Sequence, residues 1–579
     1  MTRYSYLAND FSIYLEKLKI KLIKIIFIKI TKMTAIVNYE NYEFLLTIYK
    51  KDPQMKEYID YVITNHSNKL NNINDKNPIF SSDSYKYSQG NMTRDTDFVN
   101  GKKETLIAMY ASVEPRKGAR DSHVIAAGIQ LLAKQFASIT VTINDLYEAI
   151  IFLAQHFSTP SHDGRYHFNP WPWIKVIYCH SGKIPLKIDG LLEGTILPVG
   201  IPIVTIESTD NDCAQLVTHF EPLILQCIWY PTTCATNALE YSKVIKSALN
   251  KTTTEEVLNS WLPFALQCFA LRGTTCMKAA KIGCGAILYV TMGSDTIPAI
   301  TYTLNTIGNN QMPAYSVAAI EHNQAMMQGR DGEFDQVKRV LKIYPDGIVS
   351  YVADTYDMKN FVNQVTLGEL KEIIIKRDGT FVIRPDSSLL NSDGTEMSPA
   401  ETIQEIFKII ETNLGDLIKE NVNGFKLLPP QYKIIYGDGL NIQKIKKILE
   451  LMITNKWCAS NIIFGVGGNL AQRIDRDTER FAMKSSEQKF LVETEDGNTL
   501  IQVRDVCKET PGKESKKGRF HIALNDSNIP QCFKLGDPIV SDKPNLLETF
   551  YYNGKIVKNP DNIDEIRKRI IDWRTIYDF

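Results

Sequence analysis

Four strand–loop–helix units follow one another in the second half of this 579-residue chain. In each unit a short β-branched or aromatic run ends in a loop and a helical pattern follows, as around residues 399–420 and 440–455. The four predicted strands are 348–352, 380–383, 432–436 and 461–464. Successive units of this kind indicate parallel strands joined by right-handed crossovers. The pattern therefore predicts an α/β sheet or barrel.

The loops that follow these strands are where we expect the chemistry of the protein. Each loop carries charged residues, glycines or both, and the loops are 353–357, 384–387, 437–439 and 465–468. In a barrel the carboxyl ends of all the parallel strands lie on one face, and active sites are built there. Four independent loops that converge on one face indicate a ligand site more strongly than any single motif does.

The remaining sequence has the pattern of antiparallel strands and one long helix. Residues 182–206 contain β-branched runs separated by tight turns, and residues 213–250 have helical spacing. Residues 484–579 return to β-like alternation, with a hairpin turn predicted at Asp496-Gly497-Asn498 and a basic loop at 513–519. We therefore expect a second region, separate from the parallel strands.

Charge and cysteine content exclude several classes of protein. Sixty-six Lys and Arg residues balance 66 Asp and Glu residues, so the formal net charge is zero. Binding to nucleic acid over the whole surface needs a basic excess, and we expect no such partner. The ten cysteines include no CxxC pair, which argues against a zinc site and favours free buried thiols in a reducing compartment, the cytoplasm. No residue is assigned as a metal ligand.

Residues 1–75 differ from the rest of the chain. Residues 17–32 alternate lysine with isoleucine and leucine, and no apolar run reaches the roughly 20 residues that a membrane span needs. They also lack the uncharged core of a secretory signal. We expect residues 1–75 to be an extension and linker, for which disorder is one interpretation. Our hypothesis that Met33 is the natural start is tested by mass spectrometry of the N-terminus.

The glycine loop Gly465-Val466-Gly467-Gly468 has the composition of a phosphate site. It opens a helix after a strand, where backbone N–H groups bind phosphate, although a tight turn alone would also explain the glycines. Arg476 and Lys484 follow it and favour the phosphate interpretation.

Two further loops pair a carboxylate with a cation or with glycines. Arg384 and Asp386 lie at one strand end, where an arginine suits phosphate and an aspartate suits sugar hydroxyls or a metal. An internal ion pair is the alternative. In Gly437-Asp438-Gly439 the glycines allow a ligand close to the backbone while Asp438 accepts hydrogen bonds.

Two candidates lie earlier in the chain. His322 is a general base or a nucleophile toward phosphorus, or else a satisfied core histidine. Phe269 and Arg272 offer an aromatic face for a flat ring and a nearby cation, or else a core residue beside a surface one.

Taken in order from residue 77 to the C-terminus, these residues resemble the nicotinamide phosphoribosyltransferase family. The matching strings in the first half are Asp83-Ser84-Tyr85-Lys86, Trp229-Tyr230-Pro231, Phe269 to Gly273, Gly293-Ser294-Asp295-Thr296, Tyr315-Ser316-Val317 and Glu321-His322. Those in the second half are Asp354-Thr355-Tyr356-Asp357, Arg384-Pro385-Asp386-Ser387, Gly437-Asp438-Gly439, Phe464 to Gly468 and Ser515 to Arg519. So many ordered matches are specific, whereas each short string alone is not.

The resemblance implies a fold and a reaction. The fold is α/β, an irregular (β/α) barrel over residues 256–476 with a second, discontinuous α+β domain over 76–255 and 477–579. The reaction transfers phosphoribose from phosphoribosyl pyrophosphate to nicotinamide in NAD salvage, giving nicotinamide mononucleotide and pyrophosphate. The family uses Mg²⁺, couples the reaction to ATP as a second substrate, and works as a homodimer with shared active sites.

The resemblance also implies roles for individual residues. Phe269 and, from the partner copy, Tyr85 would stack on the nicotinamide ring, and Asp295 would accept from its carboxamide. His322 would be phosphorylated by ATP, and Asp386 would bind the ribose hydroxyls. The remaining positions would bind phosphates and ribose: Arg272, Arg384, Gly437, Asp438, Gly468 and Arg476, with Arg116 and Lys484 as weaker matches.

Several positions depart from the family pattern. Gln267, Cys268 and Leu271 replace residues around Phe269, and Ala318, Asn323, Ser388, Leu389 and Asn469 replace residues in other strings. Two alternatives stay open. One is a nicotinate phosphoribosyltransferase, although Asp295 would repel the carboxylate of nicotinate. The other is a catalytically weakened member with a binding role.

Overall fold

The computed structural model describes residues 73–95, 97–158, 167–308 and 311–579. The prediction for residues 1–75 and the hypothesis about Met33 lie outside these ranges, except for residues 73–75. Within the described ranges, no single helix has both the length and the apolar composition to cross a membrane. One bent pair, Ile129–Ser138 with Ile143–Phe157, meets that test only when its two helices are taken together.

The strands divide between two large sheets and three small ones. In chain order they are β1 (Lys102–Pro115), β2 (His123–Ile125), β3 (Leu186–Gly190), β4 (Ile196–Pro198), β5 (Val204–Ser208), β6 (Leu266–Cys268), β7 (Gly293–Ser294), β8 (Ala318–Ile320), β9 (Asp346–Val352), β10 (Asp378–Arg384), β11 (Lys419–Glu420), β12 (Lys426–Leu427), β13 (Tyr432–Tyr436), β14 (Ile462–Val466), β15 (Phe481–Thr494), β16 (Thr499–Asp505), β17 (Phe520–Leu524), β18 (Pro530–Lys534), β19 (Glu548–Tyr552) and β20 (Lys555–Ile556).

The α-helices of the described residues are α1 (Ser84–Gln89), α2 (Ile129–Ser138), α3 (Ile143–Phe157), α4 (Trp171–Cys179), α5 (Leu216–His219), α6 (Glu221–Thr252), α7 (Glu255–Trp261), α8 (Met277–Ile287), α9 (Ile297–Ile307), α10 (His322–Ala325), α11 (Glu333–Ile343), α12 (Met358–Thr366), α13 (Gly368–Ile375), α14 (Pro399–Leu414), α15 (Ile442–Thr454), α16 (Gly468–Ala471) and α17 (Ile563–Ile576).

Seven antiparallel strands form the first large sheet, in the order β16-β15-β1-β5-β3-β19-β20. Its longest pairing joins β1 to β15, from Lys102 opposite Thr494 to Pro115 opposite Phe481. The predicted hairpin turn at 496–498 is confirmed, because β15 pairs with β16 across it and Gly497 has a φ of 83°. The strands predicted within 182–206 are present as β3, β4 and β5.

Seven parallel strands form the second large sheet, in the order β7-β6-β14-β13-β10-β9-β8. The four strands predicted from the strand–loop–helix units are confirmed as β9, β10, β13 and β14. They pair side by side and in parallel, with β10 between β9 and β13. The strands β6, β7 and β8 complete the sheet and have only two or three residues each.

The edges of the parallel sheet meet and close it. Gly293 in β7 forms a parallel bridge with Tyr315, which lies three residues before β8. The Tyr315 amide donates to the Met292 carbonyl at 2.8 Å, and the Ser294 amide donates to the Tyr315 carbonyl at 3.1 Å. We call residues 291–295 and 313–316 the barrel seam. A sheet closed by one bridge is an irregular barrel, as predicted.

One long helix belongs to both cores of the molecule. The first half of α6 contributes Ile224 and Ile228 to the hydrophobic core of the antiparallel sheet. Its second half contributes Leu239 and Ile245 to the core of the barrel. The predicted helix over 213–250 is thus found, preceded by the short helix α5.

Two sequence predictions are wrong in part. The β-like pattern predicted to residue 579 ends at β20, because Asn562 and Glu565 form a capping box that starts the helix α17. Its buried residues Ile563, Ile566 and Ile570 have helical spacing. All ten cysteines are free, as expected, but Cys179 and Cys276 are exposed rather than buried.

The helix α17 holds the barrel seam together through one side chain. The Arg567 guanidinium donates to the Leu288 carbonyl at 2.8 and 3.1 Å, to the Pro313 carbonyl at 2.5 Å and to the Thr291 carbonyl at 3.4 Å. Its charge is largely withdrawn from water, and this burial lowers the pKa of Arg567 to about 10. Both halves of the seam therefore depend on one cation.

We expect Arg567→Ala to lower the free energy of unfolding by about 3 kcal/mol, because the substitution leaves buried carbonyl groups without a donor. Urea denaturation followed by circular dichroism measures the change. The matched control is Lys568→Ala on the exposed face of the same helix, which should leave the free energy of unfolding unchanged. Equal stability of the two variants would contradict the role of Arg567.

Candidate active site

Each strand of the barrel delivers a polar, aromatic or glycine residue at or just after its carboxyl end. Because the strands are parallel and the sheet closes, these residues share one face. In the order of the chain they are Phe269 after β6, Asp295 after β7, His322 after β8, Asp354 after β9, Arg384 and Asp386 at β10, Gly437 and Asp438 after β13, and Gly468 after β14. The sequence predicted all of these as site residues except Asp354.

An aromatic ring lies against a glycine at this face. A Cβ atom on Gly465 would lie 2.4 Å from the Phe269 ring, so only glycine allows the ring to approach β14 this closely. The Phe269 amide donates to the Val466 carbonyl at 3.0 Å, which fixes the backbone beneath the ring. The ring itself is only partly buried. It therefore offers a fixed, accessible surface to a flat ligand.

A carboxylate is oriented beside that ring. The Asp295 amide donates to the carbonyl of Cys268, the residue before Phe269, at 3.4 Å. The Ser316 hydroxyl donates to the Asp295 carboxylate across the barrel seam. The Asp295 carboxylate is exposed on the same face, where it can accept a hydrogen bond from a ligand.

Arg384 combines an ion pair with an unused donor. Its Nη2 lies 3.3 Å from the Asp386 carboxylate, so the alternative of an internal ion pair is found. Its Nε is buried and has no hydrogen-bond partner among the described residues. A buried donor without a partner is costly, and an acceptor supplied by a ligand would remove that cost.

Carboxylates accumulate around Asp438. Burial, followed by the charges of Asp386 and Asp354, raises the pKa of Asp438, and Lys444 opposes this effect. Mutual repulsion of this kind means that a cation would be favoured here. Among the described residues, no three His, Cys, Asp or Glu side chains are arranged to hold a metal ion by themselves. The donor set fits Mg²⁺, which commonly binds one or two carboxylates together with phosphate oxygens and water.

The glycine loop lies against two neighbouring loops. A Cβ atom on Gly273 would lie 3.3 Å from the backbone of Gly468, so the two loops are in close contact. Asn469, which departs from the family string, donates from its side chain to the Leu440 carbonyl at 2.7 Å. The Asn237 side chain donates to the carbonyls of Asn469 and Leu470 at 3.0 and 2.9 Å. Asn469, the departure from the family string, thus connects the glycine loop to the loop after β13.

His322 is held by a carboxylate that the sequence prediction did not select. Its Nε2 lies 3.1 Å from Asp354 Oδ1, and the Asp354 side chain is only 9% exposed whereas that of His322 is 41% exposed. A carboxylate accepts, so this hydrogen bond assigns the proton to Nε2 and leaves Nδ1 unprotonated in the neutral ring. The feature of the sequence that could have identified Asp354 is its position. Asp354 follows the end of β9 as closely as Asp438 follows the end of β13.

Five predicted residues lie outside the strand ends of the barrel. Arg272 is exposed in the short turn Leu271–Gly273 that follows β6. Tyr85 is on α1, Arg116 follows β1, Lys484 is in β15, and Arg476 is in the loop before β15. Arg116, Lys86 and Lys508 all lower the pKa of Lys484, after burial as the main cause, so cations are concentrated here. No hydrogen bond or ion pair within the described ranges joins Tyr85, Arg116 or Lys484 to the barrel residues.

Comparison with known proteins identifies the family. Residues 264–543 match the nicotinate phosphoribosyltransferase (NAPRTase) family. A nicotinamide phosphoribosyltransferase of Mycoplasma pneumoniae is 30% identical over 348 residues, which are 59% of this chain and 72% of that protein. The chain belongs to the nicotinamide phosphoribosyltransferase family. A nicotinamide phosphoribosyltransferase of Xanthomonas campestris is 29% identical over 78% of this chain and 91% of that protein.

A solved structure supports the same fold. The nicotinate-nucleotide pyrophosphorylase from Pyrococcus furiosus superposes with a TM-score of 0.51 at 15% identity, covering 89% of this chain and 100% of that one. Among the positions that depart from the phosphoribosyltransferase pattern, Gln267 donates to the Phe264 carbonyl at 3.0 Å and Cys268 is fully buried. The departures at 267 and 268 are thus absorbed by packing and leave the Phe269 ring accessible.

Proposed function

We propose that this phosphoribosyltransferase makes nicotinamide mononucleotide and pyrophosphate from nicotinamide and phosphoribosyl pyrophosphate, in NAD salvage. The observation that carries the proposal is the placement of Asp295, whose amide donates to the backbone just before the accessible Phe269 ring and whose carboxylate accepts from Ser316. A flat ring stacked on Phe269 would place its carboxamide N–H groups toward this acceptor. Membership of the family supports the proposed reaction.

The bond changes need little acid–base chemistry. The ring nitrogen of nicotinamide forms a bond to C1′ of the ribose, and the C1′–O bond breaks so that its electron pair leaves with pyrophosphate. The unused Arg384 Nε and the cations Arg272 and Arg476 would bind phosphate oxygens, while Asp386 and Asp438 would hold ribose hydroxyls. Stabilising the leaving charge allows the sugar to develop oxocarbenium character.

The carboxylates around Asp438 would also serve a metal. Asp386 and Asp438 would hold Mg²⁺ through at most two protein ligands, with pyrophosphate oxygens and water completing the shell. When bound, Mg²⁺ neutralises charge on the leaving pyrophosphate.

Nicotinate is the alternative substrate, and Asp295 argues against it. Two carboxylates facing each other in a partly desolvated site repel, whereas an amide donates to Asp295. We expect the wild-type protein to prefer nicotinamide over nicotinate in kcat/KM, and Asp295→Asn to reduce that preference by about tenfold or more. Product formation is measured by chromatography for each substrate.

Asp335→Asn on the exposed face of α11 is the matched control and should leave the preference unchanged. A wild-type preference for nicotinate would overturn the assignment. Absence of product from both substrates would instead favour the binding role for a catalytically weakened member.

We further propose that ATP phosphorylates His322. The Nδ1 atom attacks the γ-phosphorus, the bond to the bridging oxygen breaks, and ADP leaves. Asp354 supports this role because it accepts from Nε2, leaves the unprotonated Nδ1 as the nucleophile of a half-exposed ring and would stabilise positive charge on that ring. Hydrolysis of the phosphohistidine would then be coupled to product formation.

Incubation with γ-labelled ATP should give an acid-labile phosphoprotein from the wild type and none from His322→Ala, because the nucleophile is missing. Filter binding after an alkaline quench measures the label, and brief acid treatment should release it. His180→Ala is a matched control, since His180 also pairs with a carboxylate, Asp210 at 2.8 Å, but lies in the antiparallel region. Label retained in His322→Ala would refute the role of His322.

We also propose that the active site is completed by a second copy of the chain. Tyr85 is 54% exposed and lies under the Lys86 ammonium, 5.3 Å from the ring centroid, with no hydrogen bond or ion pair to the described barrel residues. An aromatic ring that is accessible in this way can stack on a nicotinamide held by Phe269 of another copy. The resulting assembly would be a homodimer with shared sites.

Mixed dimers of Tyr85→Ala and Asp386→Ala chains, each inactive alone, should recover about half of the wild-type activity after co-expression, because one of their two sites is intact. Tandem tags isolate the mixed dimers. The control pairs Arg384→Ala with Asp386→Ala, two substitutions in the same barrel, which cannot yield an intact site. No recovery with the Tyr85 variant would contradict sharing of the site.

A further inference from the structure

Two segments from different parts of the chain, which contain Arg116 and Arg476, are held together by hydrogen bonds. We call this contact the clamp. The first is 116–121, between β1 and β2, and the second is 475–481, between α16 and the start of β15. The Arg120 amide donates to the Thr478 carbonyl at 2.9 Å, and Arg116 Nε donates to the Arg480 carbonyl at 3.2 Å. In the other direction, Arg480 Nη1 donates to the Lys117 carbonyl at 2.9 Å.

Both segments contain a residue in the left-handed backbone region. Gly118 has a φ of +81°, and Arg480 Nη1 occupies the space beside it, 2.4 Å from where a Cβ atom would lie. Arg480 has a φ of 52°, an uncommon conformation for a residue with a side chain. Within the second segment, the Phe481 amide donates to the Arg476 carbonyl at 3.0 Å, so Arg476 belongs to the same tight turn.

Glu479 lies at the centre of the clamp and is fully buried. Its Oε2 accepts from the Asp121 amide at 3.3 Å, and its Oε1 lies 3.5 Å from Arg120 Nη2. Arg120 is meanwhile engaged by the Asp121 carboxylate at 2.8 Å. A buried carboxyl group with one shared cation is unexplained by folding alone, since apolar residues of similar size often stabilise a core as well.

We propose that Glu479 is a positioning residue that joins segments 116–121 and 475–481, so that Arg116 and Arg476 meet the phosphates of the substrate as one unit. The inference rests on the proposed function, which assigns Arg476 to phosphate binding, and extends that assignment to Arg116. Glu479 itself touches no substrate. Its effect is on the affinity for phosphoribosyl pyrophosphate, not on nicotinamide binding.

The stability of the clamp should depend on pH, and the charges around Glu479 give the direction of that dependence. Burial, followed by the Asp121 carboxylate, raises the pKa of Glu479 to about 8, and Arg120 opposes the shift. From segment 116–121 the facing groups are Arg120 and Asp121, and Glu240 on α6 faces Arg120. A carboxyl group whose pKa is higher in the folded state contributes stability that is lost as the pH rises through that value. Above pH 8 Glu479 and Asp121 repel, and the clamp loosens.

The test compares Glu479→Gln with Glu479→Leu, which have similar volumes. Glutamine keeps an acceptor for the Asp121 amide and donates to the Asp121 carboxylate, whereas leucine only fills space. Isothermal titration with phosphoribosyl pyrophosphate and Mg²⁺ measures Kd at pH 7 and pH 9, and steady-state assays separate KM for each substrate from kcat. Thermal melts verify folding.

At pH 7 we expect wild-type affinity in Glu479→Gln and about tenfold weaker binding in Glu479→Leu, with KM for nicotinamide unchanged in both. From pH 7 to pH 9 the wild type should lose affinity severalfold more than Glu479→Gln does. Equal Kd values for the two variants, or the same pH dependence in wild type and Glu479→Gln, would overturn the inference.

If Glu479→Leu does not fold, the pH dependence of Kd in wild type and Glu479→Gln still tests the role of Glu479. Failure of the proposed function would give a different result from failure of this inference. In that case the wild type forms no nicotinamide mononucleotide, while the binding measurements continue to test the clamp.

Discussion

Closure of the barrel by one bridge is the constraint on which the site depends. The strands β7 and β8 are opposite edges of the parallel sheet, and within the described part of the chain the bridge between Gly293 and Tyr315 brings these edges together. The hydrogen bond that orients the Asp295 carboxylate crosses this junction, because Ser316 follows Tyr315. The acceptor beside Phe269 therefore exists only in the closed form, and the buried guanidinium of Arg567 supports both sides of it.

The zero net charge of the chain conceals a separation of charge around the site. Carboxylates lie at the strand ends of the barrel, where burial and then the charge of Asp386 raise the pKa of Asp438. Cations lie on the antiparallel region, where burial, with the charges of Arg116 and Lys86, lowers the pKa of Lys484. Within each of these two clusters the like charges repel one another, and a ligand of opposite charge would reduce the repulsion. A sugar phosphate that binds together with a divalent metal brings negative charge to the cations and positive charge to the carboxylates. Such a ligand suits this arrangement better than a simple anion does.

Long elements with clear periodicity could be predicted from the sequence, and short elements set by tertiary contacts could not. The strands β9, β10, β13 and β14 were predicted because four or five residues of each show the pattern. The two residues of β7 have no pattern of their own, and their pairing depends on Arg567, 254 residues beyond Pro313. Asp354 was missed as a site residue for a related reason, since its role is visible only when β8 brings His322 beside it. Helix α17 was missed because the β-like alternation of the residues before it was extended to the C-terminus.

The dependence of the barrel on α17 has a consequence for how the protein is made. Chains emerge from the ribosome in sequence order, and domains generally fold as they appear. Here the strands of the barrel are complete at Val466, but Arg567 is synthesised about 100 residues later. Until then the carbonyls of Thr291 and Pro313 lack this donor, and the seam is held by the backbone hydrogen bonds of its bridge without the support of Arg567. The barrel seam is therefore weakest while the last antiparallel strands are being synthesised, when opening of the bridge would expose the edges of β7 and β8 to pairing with another chain.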